Sequence, residues 1–79
     1  MATAFVLISV ASGQEDDVHN ELEAIGEICD MCSLFGPYDL IAKIEAKARD
    51  GLRDIVLNQI RAISGVTDTK TLIVAKLEE

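Results

Sequence analysis

Two stretches of this chain are apolar at every position: Phe5-Val6-Leu7-Ile8 near the start and Leu72-Ile73-Val74-Ala75 near the end. Both are rich in residues that fit a pleated surface and read as strands. Successive side chains of a strand point to opposite faces. A sheet with one wet face therefore shows apolar and polar residues in alternation. These two stretches do not alternate, so each needs apolar cover on both sides. Any fold for this chain must provide two covering layers, from itself or from a second copy.

The chain has 79 residues, enough for one domain spanning 1–79. A domain of this size buries only about 60% of its unfolded-chain surface. Yet 49% of the residues are apolar, and there is no disulfide framework to add stability. Self-association is the economical solution.

The remaining elements follow from periodicity. Ala4–Val10 reads as the first strand, and Ala11-Ser12-Gly13 breaks it. A helix follows over about Glu15–Ala24, with Val18, Leu22 and Ile25 at helical spacing. Its first turn holds Glu15, Asp16 and Asp17, where acids favour the helix dipole. Gly26 reads as its stop. Ile28–Phe35 is the second strand, and Gly36-Pro37-Tyr38-Asp39 has the composition of a tight turn. Leu40–Ala46 is the third strand. A second helix spans about Arg49–Ile63, with Leu52, Ile55, Val56, Ile60 and Ile63 as its apolar stripe. It has no Ser or Thr cap, and Gly51 in its first turn costs about 1 kcal/mol against Ala. Gly65 ends it, and Thr69–Lys76 is the last strand. The order βαββαβ predicts an α+β, ferredoxin-like fold: one four-stranded antiparallel sheet with both helices on one face. Both helices are then spent, and the other face is left for a second copy.

Charge narrows the function classes. The net charge is −7, and the first 42 residues hold eight acids and no Lys or Arg. Nucleic-acid affinity depends mainly on neutralising phosphates, so direct DNA binding is not expected. The longest apolar run is far below the ~20 residues that span a bilayer, and no basic flank marks a signal peptide. A cytoplasmic location without membrane contact is the expectation.

Chemistry-bearing motifs are few. Cys29 and Cys32 form a lone C-x-x-C, whereas a zinc site needs four ligands. In a regular strand, residues three apart face opposite ways, so both read as half-buried strand residues. His19 lies among acids and reads as solvated. No nucleophile elbow, phosphate loop or dinucleotide fingerprint is present. No metal, cofactor or catalytic residue is expected. The Gly36–Asp39 turn admits two readings. It is a connection whose Asp39 bonds nearby backbone, or a loop whose free amides hold a carboxylate while Asp39 faces an ammonium. Thr69 and Thr71 share one face of the last strand. They either orient a polar ligand or are plain β-branched residues.

The order of these motifs resembles the regulatory, effector-binding (RAM) domain of the Lrp/AsnC family of transcription regulators. The positions that carry the resemblance are Ile28, Gly36, Tyr38, Asp39, Leu40, Leu52, Gly65, Val66 and Thr71. The resemblance implies dimers paired through their sheets, rings of dimers, and amino acids bound in clefts between dimers. It makes Gly36, Tyr38, Asp39, Thr69 and Thr71 the candidate ligand residues. The helix-turn-helix of such regulators has no counterpart here. The expectation is therefore a stand-alone sensor module that binds an amino-acid effector and modulates full-length Lrp/AsnC-type regulators. The alternatives are a small dimeric ferredoxin-like-barrel enzyme, or an oligomerisation module without ligand.

Overall fold

The structure, a computed structural model, describes residues 1–75. The chain runs β1 (Ala2–Val10), α1 (Glu15–Glu23), β2 (Ile28–Ser33), β3 (Leu40–Ala46), α2 (Arg49–Ile55), a π-helical turn (Val56–Ile60) and β4 (Val66–Ile73). The four strands form one sheet in the order β2-β3-β1-β4 with every neighbour antiparallel. The α+β, ferredoxin-like arrangement expected from the sequence is what the chain adopts.

Strand parity decides which side chains form the core. Ala4, Val6 and Ile8 of β1 and Leu40, Ala42 and Ile44 of β3 are buried on one face. Val18 and Leu22 of α1 and Leu52, Ile55, Val56 and Ile60 of the second helical segment join them in a single cluster. Both helices therefore cover the same face. The opposite face carries Phe5 and Leu7 of β1, Ile41 of β3 and Leu72 of β4, cross-strand neighbours of one another. Lys43 and Lys70 flank them. Leu72, Ile73 and Val74 each stay 47% exposed, so among the described residues the last apolar stretch lacks the cover that its composition demands.

Several boundaries differ from the sequence reading. β1 starts at Ala2 and not Ala4, because Ala2 and Thr3 continue the pairing with Ala46 and Glu45. β4 begins at Val66, three residues before Thr69, since the pairing with β1 already starts at Val10. It ends at Ile73. Lys76, read as its last residue, lies outside the described residues, as do Glu78 and Glu79. Helix α1 does not use Gly26 as a left-handed cap: Gly26 has no positive φ. The helix closes by tightening instead, with Ala24 N–H donating to Glu21 O at 3.2 Å and Ile25 N–H to Leu22 O at 3.0 Å.

The second helix departs most from expectation. It is α-helical only to Ile55 and then takes a π-helical turn, in which Arg61 N–H donates to Val56 O at 2.8 Å. The apolar stripe does not reveal this, because all five of its residues are buried as the period alone expects. Its start is uncapped by any side chain, as the sequence indicated. Gly51 has a packing reason: an added Cβ would lie 3.0 Å from the Ala46 Cβ. Gly65 is more constrained, with φ at +103° and a Cβ that would meet the Val18 side chain at 2.8 Å. Only glycine lets the turn before β4 pass this close to α1.

Candidate functional site

The connection between β2 and β3 is wider than the four-residue turn expected from its composition. β2 stops at Ser33, and Leu34–Asp39 form a six-residue loop closed by Leu34 N–H donating to Asp39 O at 2.8 Å. Phe35, read as the end of a strand, is fully exposed on this loop. Gly36 follows at φ +136°, a conformation that L side chains rarely adopt. Ser9 Oγ donates to Pro37 O at 3.2 Å and ties the loop to β1. The N–H groups of Phe35, Gly36 and Tyr38 have no protein partner among the described residues.

Asp39 is bound into the fold at three points. Its N–H donates to Ile8 O at 2.9 Å, its carbonyl closes the loop, and its Oδ2 accepts from Val10 N–H at 2.8 Å. Val10 sits where the β1–β4 register shifts by a bulge. The carboxylate thus holds a backbone donor at an irregularity of the ladder. This is the connection role. Asp39 also lines a hollow of about 230 Å³ with Glu15, Asp16 and His19. The surroundings are acidic and suit a cation or an ammonium group.

Thr69 and Thr71 are on the helix face, because they pair with the buried Ile8 and Val6. Ile8 is also the cross-strand partner of Leu40, the residue after Asp39. The Gly36–Asp39 loop and Thr69 therefore reach the same end of the sheet, two strand spacings or roughly 10 Å apart. Among the described residues Asp39 and the two threonines line separate hollows. Thr69 and Thr71 instead border a groove of about 480 Å³ with Leu52, Val56, Leu57, Ile73, Asp50, Arg49 and Arg53 of α2, and Arg61 just after the π-helical turn. Sequence reasoning missed this arginine cluster. The signal for Arg49 and Arg53 is their four-residue spacing, but Arg61 is out of phase with them in a regular helix.

The two cysteines are free and exposed, not half-buried. A bulge between Ile28 and Asp30 makes Cys29 the extra residue of β2, so the three-residue parity expected of a regular strand does not hold. Local desolvation, and then the Glu45 carboxylate beside it, raise the Cys29 thiol above its ordinary value. No cluster of three His, Cys, Asp or Glu suited to a metal occurs among the described residues. His19 is half-buried on α1, with Nδ1 3.7 Å from Glu23 Oε1. No described helix is long and apolar enough to cross a membrane.

Comparison with known proteins places this geometry. Residues 3–77 match the model of the Lrp/AsnC ligand binding domain. This chain belongs to the Lrp/AsnC family. It is 34% identical over 76 residues to the HTH-type transcriptional regulator FL11 of Pyrococcus furiosus, covering 96% of this chain and 50% of that protein. The chain thus spans about half the length of the regulator. The crystal structure of TTHA0845 from Thermus thermophilus superposes with a TM-score of 0.91 at 30% identity, covering 100% of this chain and 99% of that one. AsnC of E. coli superposes with a TM-score of 0.89 at 25% identity, covering 96% of this chain and 52% of that one.

Proposed function

We propose that this chain is an amino-acid-effector-binding and oligomerisation module that acts on Lrp/AsnC-type transcription regulators by assembling with them. The observation that carries the reading is the match to the Lrp/AsnC ligand binding domain over residues 3–77. Two structural features support it. The sheet face opposite the helices presents Phe5, Leu7 and Ile41 half-buried and Leu72 exposed, with no covering element among the described residues, which suits a second sheet of the same kind. The Gly36–Asp39 loop presents N–H groups without partners next to an acidic hollow, which suits a zwitterion with separate anionic and cationic ends.

In this reading the backbone at Gly36 and Tyr38 takes the effector's carboxylate, and Asp39 with its acidic neighbours faces the ammonium. Thr69 and Thr71 contribute hydroxyls from a neighbouring copy, because one chain does not bring them to the loop. The pairing of sheets, the ring of such pairs and the cytoplasmic setting belong to the same proposal. A regulator from Neisseria meningitidis that shares the fold was solved as an L-Met complex, which makes L-Met a sensible first probe. Calorimetric titration of the chain with L-Met and then with the other amino acids tests the reading. Saturable binding of at least one is expected, and heats of dilution alone across the whole set would defeat it.

A further inference from the structure

All three arginines of the chain, Arg49, Arg53 and Arg61, line the one groove between the second helical segment and the edge strand β4. The chain as a whole carries a net charge of −7. The backbone explains the convergence. At about 100° per residue, Arg49 and Arg53 sit about 60° and about 100° around the helix from the buried Leu52, on the same side. In an uninterrupted α-helix Arg61 would sit about 180° from Leu52, facing solvent. The π-helical turn takes in one extra residue and brings Arg61 back by about 100°, to roughly 80°. The irregular turn thus places the third arginine beside the first two, on the flank that faces β4. Such turns are rare and occur frequently at functional sites.

The groove has further features of a binding site. Among the described residues Asp50 is the one acid lining it, which leaves a local charge of +2 from three arginines and one aspartate. No arginine is in an ion pair among the described residues. The groove is lined in part by Leu57 and Ile73, two large apolar side chains left 48% and 47% exposed, and Thr69 and Thr71 add hydroxyls. Its volume of about 480 Å³ suits a small molecule.

We propose that this groove binds a small organic dianion, a dicarboxylate or a phosphate monoester. The guanidinium groups and threonine hydroxyls take its oxyanion ends, and Leu57 and Ile73 pack on its carbon skeleton. Guanidinium forks match carboxylate and phosphate geometry. A dianion balances the local charge, whereas a zwitterionic amino acid leaves it uncompensated. The proposal stands on the arginines and not on the Gly36 loop; it shares Thr69 and Thr71 with the amino-acid reading, so the arginine variants, and not the threonine shifts, separate the two.

The test is a titration of isotope-labelled protein followed by nuclear magnetic resonance at constant ionic strength. The probes are inorganic phosphate, phenyl phosphate and glutarate, with sodium chloride as the control. Saturable shifts at Leu57, Thr69 and Thr71 are expected, and the tighter arm identifies the phosphate or the dicarboxylate source. Arg53→Ala and Arg61→Ala should each weaken binding about tenfold. Lys70→Ala, which removes an equal charge from the opposite face, should not. The proposal is overturned by shifts that follow ionic strength without saturating, or by arginine variants that keep wild-type affinity. It is also overturned if those variants change only the mass of the assembly, which would put an acidic surface of a second copy in the groove. A parallel L-Met titration of Arg53→Ala reads the Gly36 loop separately.

Discussion

Asp39 has a bond within the fold and a proposed part in binding, and two substitutions separate them. Its Oδ2 accepts from Val10 N–H at 2.8 Å in a partly buried position. A hydrogen bond to a charged group contributes about 1.5–3 kcal/mol, and partial exposure argues for the lower end. Asp39→Ala leaves the Val10 N–H at the bulge without its acceptor. About 1.5 kcal/mol of lost stability lowers Tm by roughly 6–12 °C in a domain of this size. Asp39→Asn keeps an amide oxygen in the same place, so its stability loss should be well under half of that. The charge is gone in both variants. If Asp39 faces the ammonium of an amino acid, both should weaken binding about 10- to 150-fold. Differential scanning calorimetry reads the first effect and isothermal titration the second. Wild-type affinity in Asp39→Asn would remove Asp39 from the site, and an unchanged Tm in Asp39→Ala would refute the structural bond.

Other outcomes follow from the same fold. Ile8→Asp buries a charge in the helix-facing core and should unfold the chain, whereas Leu7→Asp on the opposite face should leave a folded monomer; circular dichroism with light scattering distinguishes them. Gly65→Ala adds a Cβ 2.8 Å from Val18 at a positive φ, and denaturant melts should show a loss of about 2–4 kcal/mol. The raised Cys29 thiol holds less thiolate at neutral pH. Its alkylation should be slow for an exposed cysteine; Glu45→Gln leaves the local desolvation, the larger cause, in place but removes the carboxylate that adds to it, so alkylation should be somewhat faster; rates equal in both forms would contradict the assignment to Glu45. The isolated chain should not bind duplex DNA even at low salt, and micromolar binding in an anisotropy titration would count against it.

The fold was legible in the sequence because each element carries its own signal. The stripe Leu52–Ile63, the aliphatic run that follows the Gly36–Asp39 turn and the acids of Glu15–Asp17 sit where the helices and strands form. The unbroken apolar run Phe5–Ile8 divided as expected, with Val6 and Ile8 inside and Phe5 and Leu7 on the open face. What was not legible depends on local irregularity. The bulges at Cys29 of β2 and at Thr67 of β4, beside Val10, and the π-helical turn at Val56–Ile60 each insert one residue. A period-based reading carries no mark of such insertions. The bulges changed the environment of Cys29 and gave Asp39 its backbone partner, while the turn brought Arg61 to the groove. The candidate site was legible as residues but not as a constellation. Thr69 and Thr71 face the arginine groove, while Gly36, Tyr38 and Asp39 belong to a loop two strands away.

Native mass spectrometry of the purified chain, with and without the amino acid that binds best in calorimetry, tests the module most directly. A dimer or a multiple of dimers is expected, with the amino acid retained at a fixed ratio to the chain and the assembly shifted or stabilised by it. A folded monomer at micromolar concentration that retains no amino acid would contradict both the assembly and the effector.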